Sequence, residues 1–177
     1  DVRRGEFDDS KEAHVNMMDF RFGDTESWFK DAFDLVRRFL REGGYRLYPS
    51  EISLPLEVSK KTTPTIKHCW NNLGWGYCPT NIPQWNQRYK VAFALLDDKN
   101  EVKKVFVDTQ TDLSTWLKNK PTTYNFDLTL KGVSVGAYKW AVGLVDTTKD
   151  NTIGLRMAVK NNLLDSGWVK LMDITVK

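Results

Sequence analysis

Histidine and cysteine are scarce in this sequence, with two of each among 177 residues. His14 and His68 lie far apart in the chain, and no G-x-S-x-G or similar nucleophile motif accompanies either. C-x-x-C spacing is absent, which argues against zinc, and nothing else points to a metal or a cofactor. No apolar run approaches the ~18 residues needed to cross a bilayer. Basic residues never cluster beyond a pair, as at Arg37-Arg38 or Lys103-Lys104, and the net charge is only +3. There is therefore no patch to neutralise a phosphate backbone, and nucleic acid is not an expected partner. No signal peptide is visible. The chain opens abruptly on charged residues at Asp1, which reads as the start of a mature or excised fragment.

What is present is a folding composition rich in tryptophan. Hydrophobic residues make up 41% and charged residues 28%, which argues against a largely disordered chain. Seven tryptophans are many for this length. An indole serves a core, an interface or a sugar-stacking platform equally well, because it joins a large flat face to one polar N–H.

Along the chain, residues 1–13 are polar and aperiodic, and we expect a loop or disorder there. Residues 14–22 (HVNMMDFRF) are compatible with one strand. Residues 25–42 predict an amphipathic helix, with Trp28, Phe29, Ala32, Phe33, Leu35, Val36, Phe39 and Leu40 at helical spacing. Asp24 or Thr25 can cap it, and Gly43-Gly44 can stop it. A stripe of Trp28, Phe29, Phe33, Val36 and Leu40 is expected to be buried. From Tyr45 the period becomes two. Alternation at 52–58, 89–95, 102–107, 124–130, 138–144, 153–159 and 168–176, with Asn/Asp/Gly/Lys turns between, and the extended stretch that the Cys69–Pro79 loop interrupts give about eight short strands. The expected fold is mainly β, an antiparallel immunoglobulin-like β-sandwich over 45–177, preceded by a strand–helix segment over 1–44. Its core should hold Val91, Phe93, Leu95, Phe126, Leu128, Tyr138, Trp140, Val142, Leu155 and Met157.

The densest motif runs from Cys69 to Pro79, with Trp70, Asn72, Gly74, Trp75, Gly76 and Tyr77 between. Asn72 and Gly74 tolerate positive φ, and Pro79 stops a strand. One reading makes Trp75, Tyr77 and nearby Trp85 a stacking face for a sugar or a contact to a catalytic barrel, with Asn72 and Asn86 beside them to bond hydroxyls. The other reading has these aromatics plug one end of the sandwich. Cys69 and Cys78 form an even pair that permits a disulfide, with Cα atoms within about 7 Å, and two free thiols are the alternative. Asp146, Asp150 and Asn151 share one hairpin loop but lack EF-hand spacing, so a turn is the expectation rather than calcium. Glycosidases need paired carboxylates about 5–10 Å apart. Here most acids, such as Asp97, Asp98 and Asp165, lie in turns, and no complete active site is expected.

The run Trp70-x-Asn72-x-Gly74-Trp75-Gly76-x-x-Pro79 resembles a strand motif of a bacterial domain of unknown function found at the C-terminal end of barrel-plus-sandwich proteins of glycoside-hydrolase type. Val91–Asp97, Trp116-Leu117, Gly136–Tyr138 with Gly143–Asp146, Ile153–Arg156 and Asp165–Trp168 follow in the same order. The resemblance covers about residues 45–177, and Gly76-Tyr77-Cys78-Pro79 departs from the Ala-Pro usual there. Tyr45-Arg46-Leu47 is similar to the junction at which such barrels meet the sandwich, which would make 14–44 the last part of a barrel. The resemblance implies a non-catalytic accessory domain of a carbohydrate-active enzyme, bracing a barrel and contacting glycan, in a secreted, periplasmic or cell-surface protein. A free-standing carbohydrate-binding module and an adhesion or protein-interaction domain are the alternatives.

Overall fold

The computed structural model describes residues 2–21 and 25–177. Among the described residues nine strands form two sheets. The smaller has the order β1-β3-β6, from β1 (Leu47–Ser53), β3 (Thr65–Asn72) and β6 (Thr122–Asp127). The larger has the order β2-β9-β7-β4-β5, from β2 (Glu57–Val58), β9 (Val169–Val176), β7 (Gly136–Asp146), β4 (Tyr89–Leu96) and β5 (Val102–Asp108). β8 (Thr152–Leu155) also pairs with β7, beyond the stretch that β9 uses. Every pairing is antiparallel except the short β2–β9 ladder. The fold is a mainly β, immunoglobulin-like sandwich.

Period-two alternation builds the core. Ile66, His68 and Trp70 of β3 face Val91, Phe93 and Leu95 of β4 and Trp140, Val142 and Leu144 of β7. All ten expected core residues belong to this cluster, although Phe126, Tyr138 and Leu155 are only partly buried. After Tyr45 the sole helical piece is a 3₁₀ turn, Leu113–Thr115. The outer face of the larger sheet is also covered. Trp168, Ile153 and Leu164 lie over Ala92, Ala94, Leu96, Ala141 and Val145. A Cβ on Gly143 would come within 2.3 Å of Ile153, so this covering needs small residues beneath it. That is why β4 reads as a continuous apolar run.

The N-terminal segment departs from expectation in three ways. Residues 1–13 were expected to be a loop or disordered, but α1 (Val2–Glu12) is helical. Its sequence is almost all polar, and its one anchor, fully buried Phe7, works through a tertiary contact that periodicity does not register. No strand forms among the described residues of 14–22, and Phe22 lies outside them. The 25–42 helix is broken, with a π-helical turn (Ser27–Asp31) preceding α2 (Phe33–Glu42). Thr25 donates its hydroxyl to the Arg21 carbonyl rather than capping, and Asp24 lies outside the described residues. Trp28 and Val36 of the expected stripe are buried, but Phe29, Phe33 and Leu40 are 48%, 47% and 70% exposed. The apolar face is wider than the surface available to it. Trp28, Ala32, Leu35, Val36 and Phe39 turn inward, and the other half faces water.

Candidate functional site

The aromatic loop after β3 is where the helical segment meets the sandwich. Trp75 is 2% exposed and sits in a cluster with Phe7, Trp28, Leu35 and Val36. Phe7 meets it edge-on at 5.1 Å, and Phe39 packs on it at 5.4 Å. Its indole N–H donates to the Val15 carbonyl (3.0 Å). The loop backbone is stitched to the segment as well. Trp75 N donates to Glu42 O (2.9 Å), Gly76 N to Gly44 O (2.8 Å) and the Asn16 amide to Tyr77 O (2.8 Å). His14 Nδ1 lies 2.7 Å from Trp75 O. Gly74 and Gly76 do not adopt positive φ, although Gly74 would tolerate it. They are glycines because a Cβ would fall 2.0 Å from Gly44 O in one case and 2.1 Å from Asn16 Oδ1 in the other.

This placement takes Trp75 and Asn72 out of the expected sugar platform. Trp75 has no open face. Tyr77 and Trp85 are half-buried, Trp85 lying edge-on to Tyr89 at 5.2 Å. Asn72 is buried, and its side chain is fully used. Its oxygen accepts from Arg46 N and Gly74 N, and its amide donates to Gly76 O and Trp116 O. It has no positive φ either. Asn86 is exposed with φ +41, an ordinary turn residue. Of the two alternatives for the cysteines, the structure has the free thiols. Cys69 points to the outer face of β3, while Cys78 lies in the core beside Tyr45. Burial pushes the Cys78 thiol and the Tyr45 hydroxyl each up to about 12.

Sequence reasoning missed a buried polar chain beneath the same end. His68 and Asp108 are 3.0 Å apart with almost no exposure. The Trp70 indole N–H, a donor only, lies 2.7 Å from His68 Nδ1. His68 therefore carries its proton on Nε2 and donates it to Asp108. Its ring is stacked on Tyr124, with Phe93 edge-on. Tyr124 in turn accepts from the Trp116 indole at 2.8 Å, and Trp116 stacks on Trp70 at 4.8 Å. Both ring nitrogens of His68 are occupied, so it is no free base, and the chain serves to fix β3, β5 and β6 relative to one another. The signal for it was present, since His68 and Trp70 stand two apart with Ile66 on one face of an alternating strand.

The other buried carboxylate, Asp146, caps its own turn. Its Oδ1 accepts from Thr148 N (3.0 Å) and Thr148 Oγ1 (2.6 Å), and Arg88 Nε lies 3.5 Å from its Oδ2. Asp150 and Asn151 adopt positive φ in the same hairpin. Among the described residues no group of three or more His, Cys, Asp or Glu is placed to hold a metal ion, and no helix is long and apolar enough to cross a membrane.

No family model matches the chain, and no curated protein matches it. Solved structures similar to it include the CARDB domain of a Pyrococcus furiosus protein, at 16% identity and a TM-score of 0.41, over 75% of this chain and 94% of that one. A crystal structure of that domain in complex with di-metal ions matches at 20% identity and a TM-score of 0.37, over 75% and 89%. A β-glucosidase from Listeria innocua in complex with glucose matches at 14% identity and a TM-score of 0.38, over 75% of this chain but 16% of the enzyme. At such identity nothing about ligand or chemistry passes from these proteins to this chain.

Proposed function

We propose that this chain is a non-catalytic accessory β-sandwich of a carbohydrate-active enzyme, and that its helical segment joins it to a catalytic barrel of the same parent protein outside the cytoplasm. The observation that carries this reading is the two-faced helical segment. One face is fixed to the sandwich through Trp75. The other leaves Phe29, Phe33 and Leu40 in water, with Met17 exposed in the same segment. Phe29 and Phe33 lie 6.0 Å apart, forming a small aromatic pair. Large side chains left open on a segment so firmly held are what a packing partner removes from water, at about 25 cal/mol per Å². The order of motifs that resembles the barrel-plus-sandwich proteins supplies the nature of that partner.

The test is the Phe33→Ser/Leu40→Ser double variant, assayed for association with the barrel encoded in the same reading frame. Melting of the isolated chain should stay unchanged, because both side chains are exposed, while association should weaken about tenfold or more. Undiminished association, or a reading frame with no barrel, would remove the proposal. Aryl glycosides should show no turnover with this chain alone.

A further inference from the structure

The end of the sandwich away from the helical segment carries a groove with no assigned role. Strand registers separate the two ends. Leu47 meets Asn72 at the helical end, whereas Leu96 meets Val102 and Lys139, and Gly136 meets Val176, at the other. Two depressions of about 360 and about 410 Å³ share Asp97, Ala137 and Tyr138 there and so adjoin one another.

The lining is specific in three respects. Ala137 is exposed and contributes to the floor without filling it. Tyr138 stands half-buried where the depressions join, packed on the core, with its hydroxyl donating to Ser134 O at 3.0 Å, so the ring is held in place. The side-chain charges of Asp98, Asp173 and Lys104 have no hydrogen-bonding or ionic partner among the described residues. The charges balance, with Asp97, Asp98 and Asp173 against Lys103, Lys104 and Lys139. An ion of either sign would meet repulsion as well as attraction. A lipophilic ligand would find no enclosed apolar pocket. A neutral chain with many hydroxyls suits such a surface, because unpartnered carboxylates accept from hydroxyls and an ammonium donates to them.

We propose that this groove binds a neutral oligosaccharide. The site concerns the same carbohydrate context as the accessory-domain reading but stands on the groove alone, since barrel docking uses the opposite end.

The experiment is a titration of the full chain, followed by ¹H–¹⁵N spectra, with cellohexaose, xylohexaose, mannohexaose and maltohexaose in turn, and with an oligogalacturonate as an anionic counterpart. At least one neutral probe should shift Ala137, Tyr138, Asp173 and Thr175 saturably, with Kd about 0.1–1 mM, as expected for few contacts and substantial ordering costs. Ala137→Arg fills the floor without touching the core, and it should weaken binding about tenfold with melting unchanged. Asp173→Asn should weaken it about threefold. Absence of groove shifts with every neutral probe at about 10 mM would overturn the proposal. So would shifts that survive Ala137→Arg, shifts confined to the 77–85 loop, or tighter binding of the oligogalacturonate. Association with a barrel should be indifferent to Ala137→Arg, so loss of the groove and loss of the docking face are read separately.

Discussion

Cys69 and Cys78 are nine positions apart, close enough in sequence for a bridge, yet one side chain faces outward from β3 and the other is in the core. Alkylation in denaturant without reductant should therefore add two adducts per chain, and in the native state Cys69 should react first. Cys78 is hidden and its thiol is held protonated by burial. A single intact mass with no adducts would restore the bridge. Asp146 sets an acid limit on stability. Burial pushes its carboxyl up, but hydrogen bonds from Thr148 and the nearby Arg88 guanidinium outweigh burial and hold it below its ordinary value. On acidification the unfolded chain then takes up the proton first. Stability is complete above about pH 5 and drains away as pH falls through the folded value. Asp112 is held low as well, burial being outweighed by hydrogen bonds from Ser114, Gln87 and Thr80, and it acts in the same direction. Denaturant midpoints at neutral and acid pH should show a shallower acid loss for Asp146→Asn than for the parent, with a cost of about 1–3 kcal/mol at neutral pH. Equal acid losses would exclude this role.

At the scale of elements, the Trp75 loop is the joint between helix and sandwich. Gly74→Ala would place a methyl group against the Gly44 carbonyl, backbone on both sides, with no flexible end to yield. Hydrogen exchange followed by mass spectrometry should then show α1 and α2 losing protection while β4 and β7 keep theirs. Trp75→Ala should do the same, removing about 3–5 kcal/mol of local stability. Gly5→Ala in α1 is the control. Its Cβ would meet nothing within 4 Å, and helix propensity favours alanine by up to about 1 kcal/mol. Unchanged exchange in Gly74→Ala would mean the joint lies elsewhere. The strands themselves were legible because alternation is a local pattern. Of the polar chain only the His68/Trp70 half lay in one strand's alternation; its link to Asp108 and Tyr124 was not legible, because those residues come from two other strands that only pairing brings together.

On the scale of the whole molecule, the core inside the sandwich and the one over its outer sheet draw on no residue before Tyr45. The helical segment has its own cluster, and its one residue from the sandwich is Trp75. A chain of residues 45–177 should therefore fold and melt cooperatively, with its Trp75 emission red-shifted by exposure to water. Loss of a cooperative transition on removing 2–44 would show instead that the two parts are one folding unit.

The amino-acid sequence by itself determined the two-sheet architecture and its inner face. Residues at every second position, from Val91 to Leu95 and from Tyr138 to Val142, must share one side of a strand whatever the rest of the chain does. It also determined that Gly43-Gly44 would end a helix, with Gly44 at φ +66. Only the tertiary structure decided which side of the helical apolar face would be covered, that Phe7 would anchor a polar helix, and that Trp75 would be hidden rather than offered to a ligand. Those outcomes depend on which surface lies within reach across dozens of residues, and no local period carries that distance.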